Sequence, residues 1–355
     1  MLALWLLLPA QAWDLRTIDD QRTGGVVVAA EVFPISEPDW ASAGVVTDPA
    51  GLAAVATDAL AYLQTMAGND PAADAGMFEE LGVSPTAMEK TLELVIQTAT
   101  TAPELLSDPA WLNQHFTLYR WTPPASETRV AKFGLAPGTI RITRYLTTKM
   151  TGAPTQDAGH PEALYADPGE LRTAYTRAQV MQGAYDPGGK SAGQAQPLVW
   201  LTEANVHDAI MQGSVEVTLP DGSRHVYGVE TSNGIPYDPK KKERGQDRYW
   251  YFSELPAGPK GYGPTGSPHI HLRPGVSVAG DIFNLGLGAL IVLEHDNSRG
   301  GKTLRLAILA DTGGAFQPNL AQLDWYGGAF ATHAELYERW ATLPEHVRAG
   351  VLIAR

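Results

Sequence analysis

The stretch from Val278 to Gly328 reads VAGDIFNLGLGALIVLEHDNSRGGKTLRLAILADTGGAFQPNLAQLDWYGG, and it sets three aspartates among glycines and two apolar runs. Leu290–Glu294 and Leu304–Ala310 are β-prone runs of strand length, which predicts two strands, the second of them buried. Asp311 follows that second run directly. A carboxylate is therefore expected at the end of a buried strand, where its presence needs a reason.

Gly313 and Gly314 follow Asp311 closely. Paired glycines permit positive φ and close approach of the backbone, either for a tight crossing of strands or for a ligand. The alternative is structural: Asp311 serves as a turn or capping carboxylate, and Asp324 sits on a loop, as most aspartates do.

Asp324 precedes Trp325 and Tyr326, whose flat faces can pack under sugar rings and can also exclude water from a carboxyl group. Such an acid can stay protonated near neutral pH. Raising an Asp pKa from about 3.9 to about 6 costs roughly 3 kcal/mol, which partial burial in an apolar site can impose.

A second informative stretch, Ala209 to Tyr237, reads AIMQGSVEVTLPDGSRHVYGVETSNGIPY. Val215–Leu219 and Arg224–Val229 are two strand-like runs joined by Pro-Asp-Gly-Ser, which is a hairpin signal. The polar groups of Gln212 and Asn233 can hydrogen-bond sugar hydroxyls or acetamido groups, and they can equally be structural.

The first stretch resembles the three-aspartate (3D) barrel domain of the membrane-bound lytic murein transglycosylase A family. The family pattern has an Asp before a strand turn, then Asp-x-Gly-Gly-Ala, then Asp-aromatic-aromatic-Gly. These elements stand here at Asp281, at Asp311 to Ala315 and at Asp324 to Gly327. The resemblance spans Trp111 to Gly350 and is dense from Trp200 onward.

The second stretch is similar to the family's Gln-Gly-Ser-Gly strand and Asn-Gly-x-x-Tyr segment, at Gln212 to Ser214 and Asn233 to Tyr237. Thr143-Arg144-Tyr145 stands where the family carries Thr-Gly-Tyr. Val215 replaces the last glycine of Gln-Gly-Ser-Gly, and the basic run Lys240 to Lys242 replaces a helical stretch. The inserted domain is therefore expected to be smaller than in the family.

The step from Asp311 to Asp324 is longer than the resemblance leads us to expect, and it contains Pro318. The segment that carries Asp324 is therefore expected to be placed differently.

The resemblance implies a peptidoglycan lytic transglycosylase that cleaves the MurNAc-GlcNAc β-1,4 bond and forms 1,6-anhydro-MurNAc. It implies Asp324 as the acid and base, Asp311 as the carboxylate that orients it, Thr143 as the hydroxyl beside it, and Asp281 as a structural residue. The residues implied to contact the glycan are Gln212, Gly213, Asn233, Gly234, Tyr237, Tyr145, Gly313, Gly314, Trp325 and Tyr326.

No cofactor is implied, and no metal is expected, because His269 and His271 alternate on one strand without a third ligand at metal-site spacing. Two other functions remain open. One is a glycoside hydrolase on the same barrel, with Asp324 as acid and Asp311 as base. The other is a catalytically inactive peptidoglycan-binding protein.

Composition bounds the class of protein. A chain of 355 residues with 44% hydrophobic content can bury a large core and would ordinarily form two domains. Its 36 glycines and 26 prolines suit a β protein rich in loops. The net charge of −13 argues against nucleic acid or an anionic membrane as a partner.

Met1 to Ala12 (MLALWLLLPAQA) has a short apolar core and ends in Ala-x-Ala, which predicts a cleaved secretory signal peptide; a buried N-terminal strand or helix is the alternative. Cysteine is absent, so there is no disulfide and no lipid-modified Cys. No stretch reaches the ~20 apolar residues of a membrane span. A periplasmic or secreted protein is expected, with outer-membrane association open.

The expected fold is mainly β: a six-stranded double-psi β-barrel with a smaller inserted β domain, an N-terminal helical region, and a groove between the barrel and the insert. Helices are predicted from Asp48 to Ala67, from Ser84 to Ala99 and from Thr332 to Leu343. The expected segments are 1–12 (signal peptide), 13–110 (helical region), 111–154 with 258–355 (barrel, 3D domain at 278–330) and 155–257 (insert).

Overall fold

The computed structural model describes residues 12–17, 22–264, 266–298, 300–316 and 318–355. The predicted signal peptide lies outside these residues except for Ala12. Helix accounts for 31% and strand for 30% of the structure, so the fold is mixed and β-rich rather than mainly β. Short 3-10 helices that begin at proline, such as Pro71–Ala73 and Pro103–Ser107, add to the helix of the N-terminal region.

The strands are β1 (Ala12–Arg16), β2 (Arg22–Val28), β3 (Ile35–Ser36), β4 (Gly44–Val46), β5 (Phe116–Trp121), β6 (Ile140–Thr151), β7 (Glu162–Tyr165), β8 (Pro197–Leu201), β9 (Ser214–Thr218), β10 (Arg224–Ser232), β11 (Trp250–Glu254), β12 (Ser277–Ala279), β13 (Leu290–Asp296), β14 (Lys302–Asp311), β15 (Gln322–Phe330) and β16 (His346–Ala354). The α-helices are α1 (Ala29–Val32), α2 (Pro49–Met66), α3 (Pro85–Thr101), α4 (Pro109–His115), α5 (Thr128–Phe133), α6 (Arg177–Met181), α7 (Glu203–Gln212), α8 (Ile282–Leu285) and α9 (His333–Arg339).

The chain divides into two compact units. The first comprises Met1–Arg144, Gly261–Tyr326 and Ala341–Arg355, and the second comprises Tyr145–Lys260 and Gly327–Trp340. Strands β6 and β15 therefore each contribute residues to both units.

A closed ring of six strands forms the centre of the first unit. Its hydrogen-bonded order is β6-β15-β12-β14-β13-β16, and β6 pairs again with β16 through Ile140 and Arg141, which closes the ring. The predicted runs are confirmed as the antiparallel pair β13 and β14. Leu304–Ala310 is buried throughout, as an apolar run of this kind predicts.

Helices α2 and α3 form where the helical periodicity predicts helices, and they pack against each other in the first unit. Each begins as its sequence indicates: Asp48 and Ser84 cap the two helices by accepting from backbone N–H groups, and proline follows each cap. Gly288 has φ of 82°, and a Cβ there would lie 3.2 Å from Leu92 of α3. The glycine thus lets the chain approach the helices closely.

The second unit contains the predicted hairpin, in which β9 and β10 pair in antiparallel register, and β11 extends the sheet beyond β10. The last part of β6 runs parallel to β9 on the other side. Strands β7 and β8 form a separate antiparallel pair. Helix α9, also in this unit, is shorter than predicted and is capped by Thr332.

Gly327 fits against α9, because a Cβ at that glycine would lie 2.0 Å from Leu336. None of the helices in the described parts of the chain combines the length and the apolarity needed to cross a bilayer.

Candidate active site

Strand β12 holds Asp311 and Asp324 in register. Ala279 of β12 pairs with Asp324 of β15 on one side and with Asp311 of β14 on the other, after a bulge. Residues in register on adjacent strands present their side chains to the same face, and two strand spacings separate the two Cα atoms by about 9–10 Å. Asp324 therefore lies within a strand, and both aspartates share one face of the first unit.

Thr143 of β6 lies beside the backbone that leads into Asp324. Its hydroxyl donates to the carbonyl of Leu323 at 3.4 Å and accepts from Nε2 of Gln322 at 2.9 Å. Gln322 was not among the residues predicted for the site. The sequence could have indicated Gln322, because it lies two residues before Asp324 on one strand and alternate residues of a strand share a face.

The carboxyl group of Asp324 titrates close to neutral pH. Burial raises its pKa to about 6, and the hydroxyl of Thr143 and the charges of Arg141 and Arg144 act in the opposite direction. Its Oδ1 is buried, and the described residues offer it no hydrogen-bond donor. A carboxyl group in this state can donate a proton and accept one in turn, as a general acid and base must.

Trp325 and Tyr326 are only 1% and 2% exposed. Neither ring offers a face to a sugar, because both are packed into the core of the first unit. The expectation that they stack under a glycan is not met in this structure. Their burial instead excludes water from the neighbourhood of Asp324, which is the other role that aromatic neighbours can have.

Asp311 organises the end of β14. Its Oδ1 accepts from the backbone N–H of Thr312 at 2.8 Å, and its backbone carbonyl accepts from the N–H of Gly280 at 3.0 Å. Thr312 Oγ1 donates to the carbonyl of Gly280 at 2.7 Å. These bonds fix the chain just after Ala279, the residue between the two aspartates.

Gly313 and Gly314 do not have the positive φ that the glycine pair was expected to allow. A Cβ at either position would meet no atom of the described residues within 4 Å. The glycines are therefore not required by a tight crossing of strands, and the open space beside them can admit a ligand.

Asp281 is fully buried and caps α8. Its Oδ2 accepts from Asn284 Nδ2 at 2.7 Å and from the N–H of Asn319 at 2.9 Å, and its Oδ1 accepts from the N–H of Asn284 at 3.2 Å. Burial raises its pKa to about 7, although these hydrogen bonds lower it. Asn284 in turn bonds to the backbone of Arg16 in β1. Asp281 thus ties together three segments of the first unit.

The other predicted residues lie in the second unit, where Asn233 has a structural role. Asn233 is 1% exposed. Its Nδ2 donates to the carbonyls of Tyr175 and Asp247, and its Oδ1 accepts from the N–H groups of Ile235 and Tyr249. Since these bonds use its whole capacity, Asn233 could contact a glycan only by breaking one of them.

Gln212 ends α7, and its Oε1 accepts from the N–H of Leu146 at 3.4 Å. Gly213 follows the helix with φ of 78°, and Gly234 has φ of 73°, so both glycines serve turns. Tyr237 is 56% exposed, and Tyr145 is half-buried on β6. Of the predicted glycan contacts in this unit, Tyr237 offers the most open side chain.

His271 Nδ1 pairs with Asp58 at 2.9 Å in the first unit. The described residues contain no group of three or more His, Cys, Asp or Glu that could hold a metal ion.

No protein-family model and no curated protein matches the chain. Solved structures do match along nearly its whole length. A membrane-bound lytic murein transglycosylase from Agrobacterium tumefaciens is 16% identical, with 97% of this chain and 98% of that chain covered and a TM-score of 0.60. MltA from E. coli with bound chitohexaose is 16% identical, with 91% and 94% covered and a TM-score of 0.61.

MltA from Neisseria gonorrhoeae is 15% identical, with 97% of this chain and 94% of that chain covered and a TM-score of 0.58. At these identities the matches establish architecture, and they confirm the sequence resemblance at that level. The chain has the fold of the MltA lytic transglycosylases.

Proposed function

We propose that this chain is a peptidoglycan lytic transglycosylase that cleaves the β-1,4 bond between MurNAc and GlcNAc and forms 1,6-anhydro-MurNAc. Asp324 carries the proposal: it is a strand carboxyl group with its pKa raised to about 6 and a buried oxygen that receives no hydrogen bond from the described residues. It stands on a fold shared with enzymes of that activity.

A single acid suffices for this reaction. Protonated Asp324 donates its proton to the glycosidic oxygen as the bond to C1 of MurNAc breaks. The resulting carboxylate accepts the proton of the C6 hydroxyl, whose oxygen closes onto C1. Asp324 ends as it began, and the C6 hydroxyl takes the place of the water that a hydrolase would use.

The surroundings of Asp324 act in opposite directions on its protonated and ionised forms. Burial favours the neutral acid needed for the first step, whereas Thr143, Arg141 and Arg144 favour the carboxylate needed for the second. Gln322 holds the Thr143 hydroxyl in position, and Asp311 fixes the backbone beside Ala279. The open space beside Gly313 and Gly314 is proposed to admit the glycan.

The proposal extends to the finer architecture expected from the sequence. The closed ring is proposed to be a double-psi barrel built from 111–154 and 258–355 (3D domain at 278–330), with 155–257 inserted and 13–110 as the N-terminal region. Residues 1–12 are proposed to be a cleaved signal peptide, and the chain to act in the periplasm or outside the cell. The MltA structure with bound chitohexaose supports a glycan strand as the partner.

A second candidate is an inverting glycoside hydrolase with Asp311 as the base. The observation that favours it is that Asp311 and Asp324 share one face with a strand between them. Inverting enzymes need such separated carboxylates, with room for water between them.

Mass spectrometry of the products from purified sacculi separates the candidates. The transglycosylase is expected to leave 1,6-anhydro ends, which are lighter by one water than reducing ends. Reducing ends would establish the hydrolase, and intact sacculi with retained binding would establish a binding protein. Asp324→Asn serves as the inactive control, and Asp296→Asn, at an exposed strand end, serves as the matched active control.

A further inference from the structure

The second unit contains a pocket of about 360 Å³ lined by charged side chains of both signs. Glu162 comes from β7, Arg177 from α6, Glu203 and His207 from α7, and Arg244 from the short turn before β11. None of these residues was predicted to belong to a site.

One of the cationic residues that line the pocket has an unused donor. Arg177 is 3% exposed; it donates to the carbonyl of Glu243 and pairs with Nδ1 of His207, but its buried Nε–H finds no acceptor among the described residues. Burial lowers the pKa of Arg177, and the nearby charge of Arg244 lowers it too, against the effect of Tyr249. Two guanidinium groups therefore line the pocket, and an anion bound there would form charge-assisted hydrogen bonds with them.

The same pocket also carries negative charge from Glu162 and Glu203. Because arginine can only donate, Nδ1 of His207 accepts from Arg177, and the ring proton lies on Nε2, which is 3.5 Å from Glu203. Burial, Asp186 and Glu203 together raise the pKa of Glu162 to about 7. Carboxyl groups that disfavour each other's charge in this way would be stabilised by a cation.

We propose that this pocket binds an α-amino acid head group, with its carboxylate at Arg177 and Arg244 and its ammonium group at Glu162 and Glu203. A simple anion or a simple amine would match the charge of only one of these two pairs of residues. The source of this head group rests on the proposed function. The head group would come from the free amino-acid end of a diamino acid in a peptidoglycan stem peptide, so the pocket would recognise strands that carry peptides.

Titration of the full chain with D-alanine, followed by NMR, tests the proposal. Saturable binding is expected, and N-acetyl-D-alanine and D-alaninamide, which each lack one charge, should bind at least about tenfold more weakly. Arg244→Gln and Glu203→Gln lie at exposed positions, where a change is expected to leave the fold intact, and they should weaken D-alanine binding by about tenfold. The matched changes Arg224→Gln and Glu216→Gln lie outside the pocket and should have no effect.

Equal binding of the three ligands, no saturable binding, or unaltered binding by Arg244→Gln would overturn the proposal. A muropeptide with a free diamino acid end that binds more tightly than D-alanine would identify the cell wall as the source, whereas equal affinity would identify free amino acids. The test is separable from the proposed function: Asp324→Asn should lose cleavage but bind D-alanine normally, and Arg244→Gln should still cleave peptide-free glycan.

Discussion

Replacing Asp324 with asparagine tests the chemistry and the electrostatics of the site together. The amide keeps the shape of the side chain but cannot donate and accept a proton in turn. Loss of general acid–base catalysis typically lowers rates by 10²–10⁴-fold, and a fall in kcat of about this size is expected for glycan cleavage. Binding to sacculi should be nearly unchanged, because the same volume is filled.

The same substitution should stabilise the fold at neutral pH. The pKa of Asp324 is raised from 3.8 to about 6, so the folded state holds its proton more tightly than the unfolded state. The stability that this supplies is complete below about pH 4 and is lost as the pH rises to about 6. At about 1.36 kcal/mol per pKa unit, ionisation at pH 7 costs about 3 kcal/mol. Partial contact with solvent reduces the expected gain of the variant to about 1–2 kcal/mol.

Urea unfolding of wild type and Asp324→Asn at pH 4 and pH 7 measures this gain. Asp281, which titrates near pH 7, is present in both proteins and cancels from the difference. The variant should be more stable at pH 7 and lose that advantage at pH 4, whereas Asp296→Asn should show neither effect. Cleavage within about tenfold of wild type, or a stability difference independent of pH, would refute the assignment of Asp324 as a buried acid.

Three further substitutions test the surroundings of Asp324. Asp311→Asn should lower cleavage only partly, because the amide oxygen can still accept from the Thr312 N–H; near-complete loss with rescue by azide would instead make Asp311 the base of a hydrolase. Arg141→Gln should raise the pKa of Asp324 and move the basic limb of the kcat/KM profile to higher pH, while the exposed control Arg273→Gln should leave it in place. Asp281→Asn should reduce the free energy of unfolding by about 2–4 kcal/mol in urea titrations at pH 7, since an amide nitrogen would face donors; an unchanged midpoint would contradict the structural role.

Much of the secondary structure follows from local signals. Asp48-Pro49 and Ser84-Pro85 mark the starts of α2 and α3 because a capping side chain and a proline satisfy the first turn of a helix. The hairpin of β9 and β10 follows from alternation and its Pro-Asp-Gly-Ser turn. Such features depend only on residues close together in the chain, which is why they are readable from the sequence.

The site is less readable, because its electrostatics depend on strand order. Arg141 stands far from Asp324 in the chain, and only the placement of β6 beside β15 brings its charge close. Burial likewise decides the role of Trp325, since the sequence cannot say whether an aromatic ring faces a ligand or the core. The conformation of Gly313 is also not determined by the sequence, because a glycine pair permits positive φ without requiring it.

We expect the three aspartates to have separate roles, with one acting as the acid and two supporting its position. Asp281 accepts from Asn319, whose Nδ2 lies 3.5 Å from Gln322, and Gln322 donates to the Thr143 hydroxyl beside Asp324. A chain of hydrogen bonds thereby runs from the buried acid at 281 to the Thr143 hydroxyl beside Asp324. A catalytic carboxyl group buried at a cost in stability needs rigid support, because a mobile strand would let it rotate towards water and return its pKa to the ordinary value. On the proposed function, Asp281 and Asp311 contribute through the geometry of their hydrogen bonds, and Asp324 contributes through its proton.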